Sequence, residues 1–283
     1  MPELPEVETV RRGLAKHLAD HTITDVEVRR PHLRWIIPAE FVSQSRNTRI
    51  CAIRRRGKYL LWDLSNEMVI LMHLGMSGSL RILAPDSDAD LLKHDHVIWH
   101  LDTRERVTFH DPRRFGMIDL LNSSDESTHP RLAILGPEPF ASDFNTASLV
   151  SCLAARTSPI KNALLDQMIV AGIGNIYASE ILWASRIPPQ TPAMNLHAEN
   201  IDTLIQATRR ILHRAIAASG STLRNYRSLE GEVGRFQNEF AVYDREGERC
   251  RRRGCDGRIR RIVQSGRSTF YCPHCQDPDK NRD

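Results

Sequence analysis

The sequence predicts a multidomain α+β protein, and three observations predict it. One amphipathic helix is followed by a train of short strand-like runs; a stretch with apolar residues at helical spacing comes next; four cysteines crowd near the end of the chain. In that order, the expected architecture is an N-terminal helix plus β-sandwich, a helical domain, and a C-terminal β-hairpin that closes on a metal. The 283 residues, 41% hydrophobic, leave room for more than one real core.

The opening Met1-Pro2-Glu3-Leu4-Pro5-Glu6 starts the first helix. Val7, Val10, Leu14 and Leu18 recur at three and four residue spacing, Pro5 suits a first helical position, and Glu6 and Glu8 suit a first turn. The same six residues allow a second reading. Removal of Met1 would leave Pro2 as a free secondary amine, a nucleophile toward an aldehyde-like carbon, with Glu3 beside it as an acid and a helix dipole disfavouring the protonated amine. Taken alone, the hexapeptide is better explained as an ordinary helix start, and the rest of the chain has to decide.

Strand-like runs follow at 23–28, 49–54, 59–63, 68–71, 79–83, 97–101, 106–109 and 117–121, punctuated by turn residues such as Arg56-Gly57-Lys58, Ser65-Asn66 and Pro85-Asp86-Ser87-Asp88. Many short alternating strands point to a sandwich or barrel over residues 1–125. The Pro-containing stretch 126–148 reads as a linker. Apolar residues at helical spacing over 149–155, 160–166, 176–185 and 201–219 make 149–234 a helical domain, ending in a Gly-rich polar stretch at 220–235. Residues 235–283 form the cysteine module. No apolar run approaches the roughly 20 residues of a membrane helix, and the acidic, Pro-containing start is unlike a signal peptide, so the expectation is a soluble cytoplasmic monomer with no membrane partner.

Cys250-x4-Cys255-x16-Cys272-x2-Cys275 carries the most specific chemistry. Four thiolates at that spacing suit one tetrahedral structural Zn2+, closed to substrate. Cys51 and Cys152 read as isolated small core residues. The net charge is only +4, but nine arginines stand against three acids between Arg245 and Arg267, a density suited to phosphate. Gly172-Ile173-Gly174-Asn175 opens into a helix, which serves either a phosphate or tight helix packing. Asp111-Pro112-Arg113-Arg114-Phe115-Gly116, taken with His73-Leu74-Gly75-Met76-Ser77-Gly78, offers Met76 and Phe115 either as core residues or as wedges that unstack a duplex around the polar probe Arg113.

These segments resemble the bacterial formamidopyrimidine-DNA glycosylases. MPELPEVETVRRGL, RRGKYLL, HLGMSGSLRI, KHDHV, DPRRFG, LGPEP, GIGNIYASEIL and STFYCPHC stand in family order across essentially the whole chain. The resemblance implies an N-terminal helix plus β-sandwich, a helix-two-turns-helix domain and a β-hairpin zinc finger. It implies a bifunctional glycosylase and AP lyase that excises oxidised purines, formamidopyrimidines and 8-oxoguanine, from double-stranded DNA, and acts at the bacterial nucleoid. Pro2 would be the Schiff-base nucleophile, Glu3 the acid, Glu6 a supporting carboxylate, Lys58 the proton donor for β-elimination, and Arg267 a participant in δ-elimination. His94, Arg113 and Arg156 align with DNA-binding positions, and Arg114, Lys161 and Asn175 with phosphate contacts. Met76, Arg113 and Phe115 would fill the gap left by the everted nucleotide.

One departure is visible: four residues, where many relatives have two, separate Cys250 from Cys255. Gly220 to Arg235, with Gly231 and Gly234, reads as a cap over the everted base. Two other readings stay open, an endonuclease VIII-like glycosylase for oxidised pyrimidines and a DNA-binding zinc-finger protein without catalysis.

Overall fold

The computed structural model describes residues 1–85, 91–221 and 235–277. The chain forms two compact units, one of residues 1–133 with 218–235, the other of residues 134–217 with 236–283. The helical segment and the cysteine module therefore share a unit. Residues 222–234 of the expected cap, with Gly231 and Gly234, and residues 86–88 of the expected turn lie outside the described residues.

In the first unit, α1 (Leu4–Leu18) precedes eight strands: β1 (Thr22–Val28), β2 (Thr48–Arg56), β3 (Tyr59–Leu64), β4 (Met68–His73), β5 (Ser79–Leu83), β6 (Asp95–Leu101), β7 (Arg106–His110) and β8 (Met117–Asn122). All pair antiparallel, in the order β5-β7-β6-β1-β2-β3-β4-β8. The join between β1 and β2 is slight, Thr22 opposite Arg49 and Ile23 opposite Thr48. The sheet folds there into two four-stranded halves, with the rings of Trp62 of β3 and Trp99 of β6 in tilted contact, centroids 5.0 Å apart, in the shared core. Val7, Val10, Leu14 and Leu18 of α1 join the same core, as their spacing predicts.

Strand ends fall within two residues of those read from alternation. The short helix α2 (Phe41–Ser45) has no counterpart in the sequence pattern; five residues carry no periodic signal, and it exists because Phe41 is fully buried against Trp99 at 6.3 Å. Leu4 rather than Pro5 takes the first helical position, because Glu3 is the cap. Cys51 is exposed rather than core: on β2 it alternates with the buried Ile50.

The second unit contains α3 (Thr146–Leu153), α4 (Ile160–Leu165), α5 (Asn175–Ala184), α6 (Ala198–Ala217) and the hairpin β9 (Arg260–Gln264) with β10 (Arg267–Tyr271). Helix α3 begins earlier than its apolar pattern, since Asn145 caps a polar first turn by accepting the Ser148 N–H at 3.0 Å. Cys152 is exposed, at the flank of the buried stripe and roughly 80° round the helix from the midpoint of Leu149 and Leu153. Arg209 of α6 donates to the carbonyls of Pro139, Ala141 and Phe144, pinning the preceding segment to the helix. Buried Glu180 of α5 accepts the N–H groups of Ala241, Val242 and Tyr243 at 2.8 to 2.9 Å, which fixes the chain entering the cysteine module. Among the described residues, no helix is long and apolar enough to cross a membrane.

Candidate active site and metal centre

Helix α1 brings Pro2, Glu3 and Glu6 into the interior at its head. Pro2 is buried, and Glu3 and Glu6 are 3% and 2% exposed. Two carboxyl groups in so dry a place need donors. Glu6 Oε2 accepts the Glu3 N–H at 2.9 Å, within a capping box, while Glu6 Oε1 accepts both the N–H and the hydroxyl of Ser221 at 2.7 and 3.0 Å. Glu6 thereby fixes the backbone on which Pro2 and Glu3 stand. It also anchors Ser221, which pairs with Arg235 in an isolated antiparallel bridge.

Lys58 sits in the two-residue turn between β2 and β3, where Gly57 adopts φ +56°. A lysine in a turn normally projects into solvent, but this one is 7% exposed. Arg55 braces the turn, donating to Gly57 O at 3.0 Å and to Glu8 of α1 at 3.1 Å. Burial alone would raise the Glu8 carboxyl, but hydrogen bonds from Arg11 and Arg12 and the charges of Arg11 and Arg55 hold it below its usual range. The bracing pair is thus ionised at neutral pH.

Sequence reasoning missed His73 as a site residue, although its segment stands out. It pairs with Tyr59 across β3 and β4, the rings 5.0 Å apart. Burial, then the charges of Lys58, Arg34 and Arg131, push its pKa down to about 4. Its Nδ1 accepts the Gly75 N–H at 2.9 Å, so Nε2 carries the proton. The useful signal was its place beside a glycine turn, one strand from a lysine.

Met76 and Phe115 are 47% and 42% exposed, so neither is core. The Arg113 guanidinium lies 4.6 Å over the Phe115 ring. Gly75, at φ +64°, packs so closely that a Cβ there would stand 2.4 Å from the Phe115 carbonyl. The Met76 and Phe115 loops are consequently one surface feature. Arg114 is exposed, and His94 lies at the base of this loop, its carbonyl accepting the Asp111 N–H at 3.0 Å.

In the second unit, Asn175 begins α5 directly after the glycine pair, as expected. Lys161 corrects an expectation. Instead of reaching for phosphate, its ammonium is fully buried and donates to Asn175 Oδ1, Ser268 O and Thr269 Oγ1 at 2.7, 3.0 and 2.6 Å. It orients Asn175, whose amide also donates to Ser268 O at 3.0 Å. Arg156 pairs with Asp166 at 3.0 Å. Arg267 is exposed at the tip of the β9–β10 hairpin, beside a recess of about 280 Å³ lined also by Asn162, Leu165, Asp166 and Ser265.

The sulfurs of Cys250, Cys255, Cys272 and Cys275 all lie within 4.8 Å of one another, with the 250–275 and 255–272 pairs at 3.8 and 3.6 Å. Tetrahedral zinc with Zn–S bonds of about 2.3 Å requires sulfurs roughly 3.8 Å apart. The residues fit one zinc ion. A Cβ at Gly257 would stand 2.7 Å from the Cys272 sulfur, so only glycine lets the thiols converge. The longer first knuckle is accommodated by Gly254 at φ +75° and by the Cys255 N–H donating to Arg252 O at 3.1 Å. His274 is exposed and stands outside the group. Trp183 of α5 donates its indole N–H to Cys250 at 3.3 Å and carries the Arg252 guanidinium 4.5 Å over its ring.

Residues 1–118 match the formamidopyrimidine-DNA glycosylase N-terminal domain, residues 135–227 the H2TH domain of the same proteins, and residues 247–278 the zinc finger found in FPG and IleRS. The formamidopyrimidine-DNA glycosylases of Ruegeria pomeroyi and Paracoccus denitrificans are each 48% identical, covering 98% of this chain and 100% of their own. A Lactococcus lactis FPG mutant, solved in complex with DNA containing Fapy-dG, superposes with a TM-score of 0.90 at 35% identity, over 98% of this chain and 100% of that one.

Proposed function

The chain belongs to the formamidopyrimidine-DNA glycosylase family, and from that premise we propose how its own residues release a base and cut the strand. It is a DNA glycosylase of base excision repair with the AP lyase activity typical of that family. Its substrates are oxidised purines in double-stranded DNA, and it works in the bacterial cytoplasm on nucleoid DNA, as a monomer. The first unit supplies the nucleophile and the wedge, and the second supplies backbone contacts through Arg156, Asn175 and the zinc hairpin.

With Met1 removed, the lone pair of Pro2 nitrogen attacks C1′ of the damaged nucleotide. The bond from C1′ to the base breaks and its electrons leave with the base. The attached nitrogen then gives up its proton, through water, to the departing base. Glu3 gives a proton to the ring oxygen as the C1′–O4′ bond opens, and the nitrogen lone pair so freed supplies the electrons for the resulting iminium. A secondary amine makes this adduct permanently cationic. That charge acidifies the C2′ hydrogen, whose loss expels the 3′ phosphate. A second elimination, with Arg267 at the departing phosphate, expels the 5′ phosphate, and water then frees Pro2. Lys58 and His73 give the phosphate beside the lesion one cation and one neutral donor. The four cysteines hold zinc, which folds the hairpin and takes no part in the chemistry.

One observation carries this reading: the head of α1 buries Pro2 beside two nearly inaccessible glutamates that only a dedicated hydrogen-bond set keeps in place. Borohydride trapping tests it. The mature protein should form a covalent adduct with duplexes carrying 8-oxoguanine or an abasic site, and Pro2→Gly should form none. An undiminished adduct from Pro2→Gly, or from protein retaining Met1, would sink the mechanism.

A further inference from the structure

The three wedge residues come from two different loops, 74–78 and 111–116, and the mechanism does not explain what makes them act together. Asp111 is fully buried and belongs to neither the nucleophile nor the metal centre. One carboxylate oxygen accepts the Ser77 hydroxyl at 2.5 Å, and the other accepts the Gly116 N–H at 2.7 Å. Ser77 Oγ in turn accepts the Arg113 N–H at 3.3 Å. The backbone of Asp111 is itself held: its N–H donates to His94 O at 3.0 Å, and its carbonyl accepts from His96 Nε2 at 2.8 Å. The carboxylate is therefore anchored to β6 and its approach and reaches both loops, one residue after Met76 and one residue after Phe115.

We propose that Asp111 is a positioning residue that latches the Met76 loop to the Arg113–Phe115 loop, so that the three side chains enter the duplex as one preassembled body. This rests on the reading of Met76, Arg113 and Phe115 as a wedge. Everting a base costs unstacking and unpairing, and a wedge whose parts are already fixed fills the gap without a further ordering cost. The exposed side chains gain this rigidity from a buried group, because an exposed hydrogen bond would compete with water.

Asp111→Leu keeps the approximate size and removes both acceptors. Asp111→Asn can keep both links, its oxygen accepting from Gly116 and its amide donating to Ser77 Oγ, and is the rescue variant. Ser77→Ala breaks one link at a partly exposed position and secures the test if Asp111→Leu fails to fold. The substrate is a duplex carrying 8-oxoguanine, with 2-aminopurine next to the base opposite the lesion, so that wedge insertion is read as a fluorescence rise.

Asp111→Leu should lose most of that rise and about a hundredfold in single-turnover excision, the scale of a misplaced reacting geometry. Ser77→Ala should lose about tenfold, the equivalent of one strong hydrogen bond. Both should retain borohydride trapping on a single-stranded abasic oligonucleotide, which needs no wedge, and Asp111→Asn should recover most of the fluorescence and the rate. Full fluorescence and excision in Ser77→Ala and in folded Asp111→Leu would overturn the latch. The Met76→Ala/Phe115→Ala double variant separates the two ideas. If it too keeps the signal, the wedge reading has failed; if it loses the signal while the Asp111 and Ser77 variants keep it, only the latch has.

Discussion

Replacing Lys161 with methionine separates a phosphate contact from an internal strut. The ammonium is fully enclosed and donates to three acceptors at 2.6 to 3.0 Å. Each bond from a charged donor is worth about 1.5 to 3 kcal/mol, and the desolvation of the ammonium offsets much of the sum. Methionine fills a similar volume but strands Thr269 Oγ1, Ser268 O and Asn175 Oδ1 without this donor. The expected net loss is about 3 to 5 kcal/mol, typical of breaking a buried charged network. It should appear as a fall of that size in the opening free energy of β10 amides by hydrogen exchange. The salt dependence of DNA binding should keep its slope, since a strut releases no counterion. A lysine that touched phosphate would behave oppositely, lowering the log–log slope by about 0.9 while leaving exchange unchanged. That opposite pair of results would refute the strut.

Three further outcomes are expected. Trp183→Phe removes the indole donor to Cys250 and should speed chelator-driven zinc loss, followed with a metallochromic dye, by about tenfold, as outer-shell partners of metal ligands commonly do; equal rates would show the donor to be idle. His73 titrates at about 4 in the folded chain against about 6.5 unfolded, so the unfolded state binds the extra proton first and stability falls as pH drops from about 6.5 to about 4. His73→Gln should flatten that limb by up to about 3 kcal/mol in urea titrations, and an unchanged limb would count against the assignment. Stripping zinc should raise hydrogen exchange across the β9–β10 hairpin and weaken duplex binding, while β3 and β4 keep their protection; a hairpin protected without metal would contradict a folding role for zinc.

The strands and long helices were legible because apolar residues alternate or recur along them, and a buried face leaves that trace. The cysteine group was legible from spacing alone. Charged residues were harder, since exposure is the default for lysine and its exceptions depend on partners far along the chain. Lys58 is buried by a turn braced from α1, and Lys161 by acceptors more than 100 residues away. Cys51 and Cys152 failed for a local reason: a small apolar residue was assigned to the core without asking which way its strand or helix phase turned it. Met76 and Phe115 show the converse, apolar side chains outside, where only the tight Gly75 approach distinguishes a built feature from an accident.

The hydrogen bonds from Ser221 to Glu6 join residues 215 apart in the chain. During synthesis the head of α1 leaves the ribosome well before Ser221, and its second anchor is made only after 215 further residues have been translated. At about 5 to 20 residues per second that gap lasts on the order of 10 to 40 seconds. An aminopeptidase trimming Met1 in that interval meets a terminus not yet fully seated. The order of manufacture thus exposes the future nucleophile for processing before the fold closes over it, and a fragment ending short of Ser221 would carry Pro2 without its finished support.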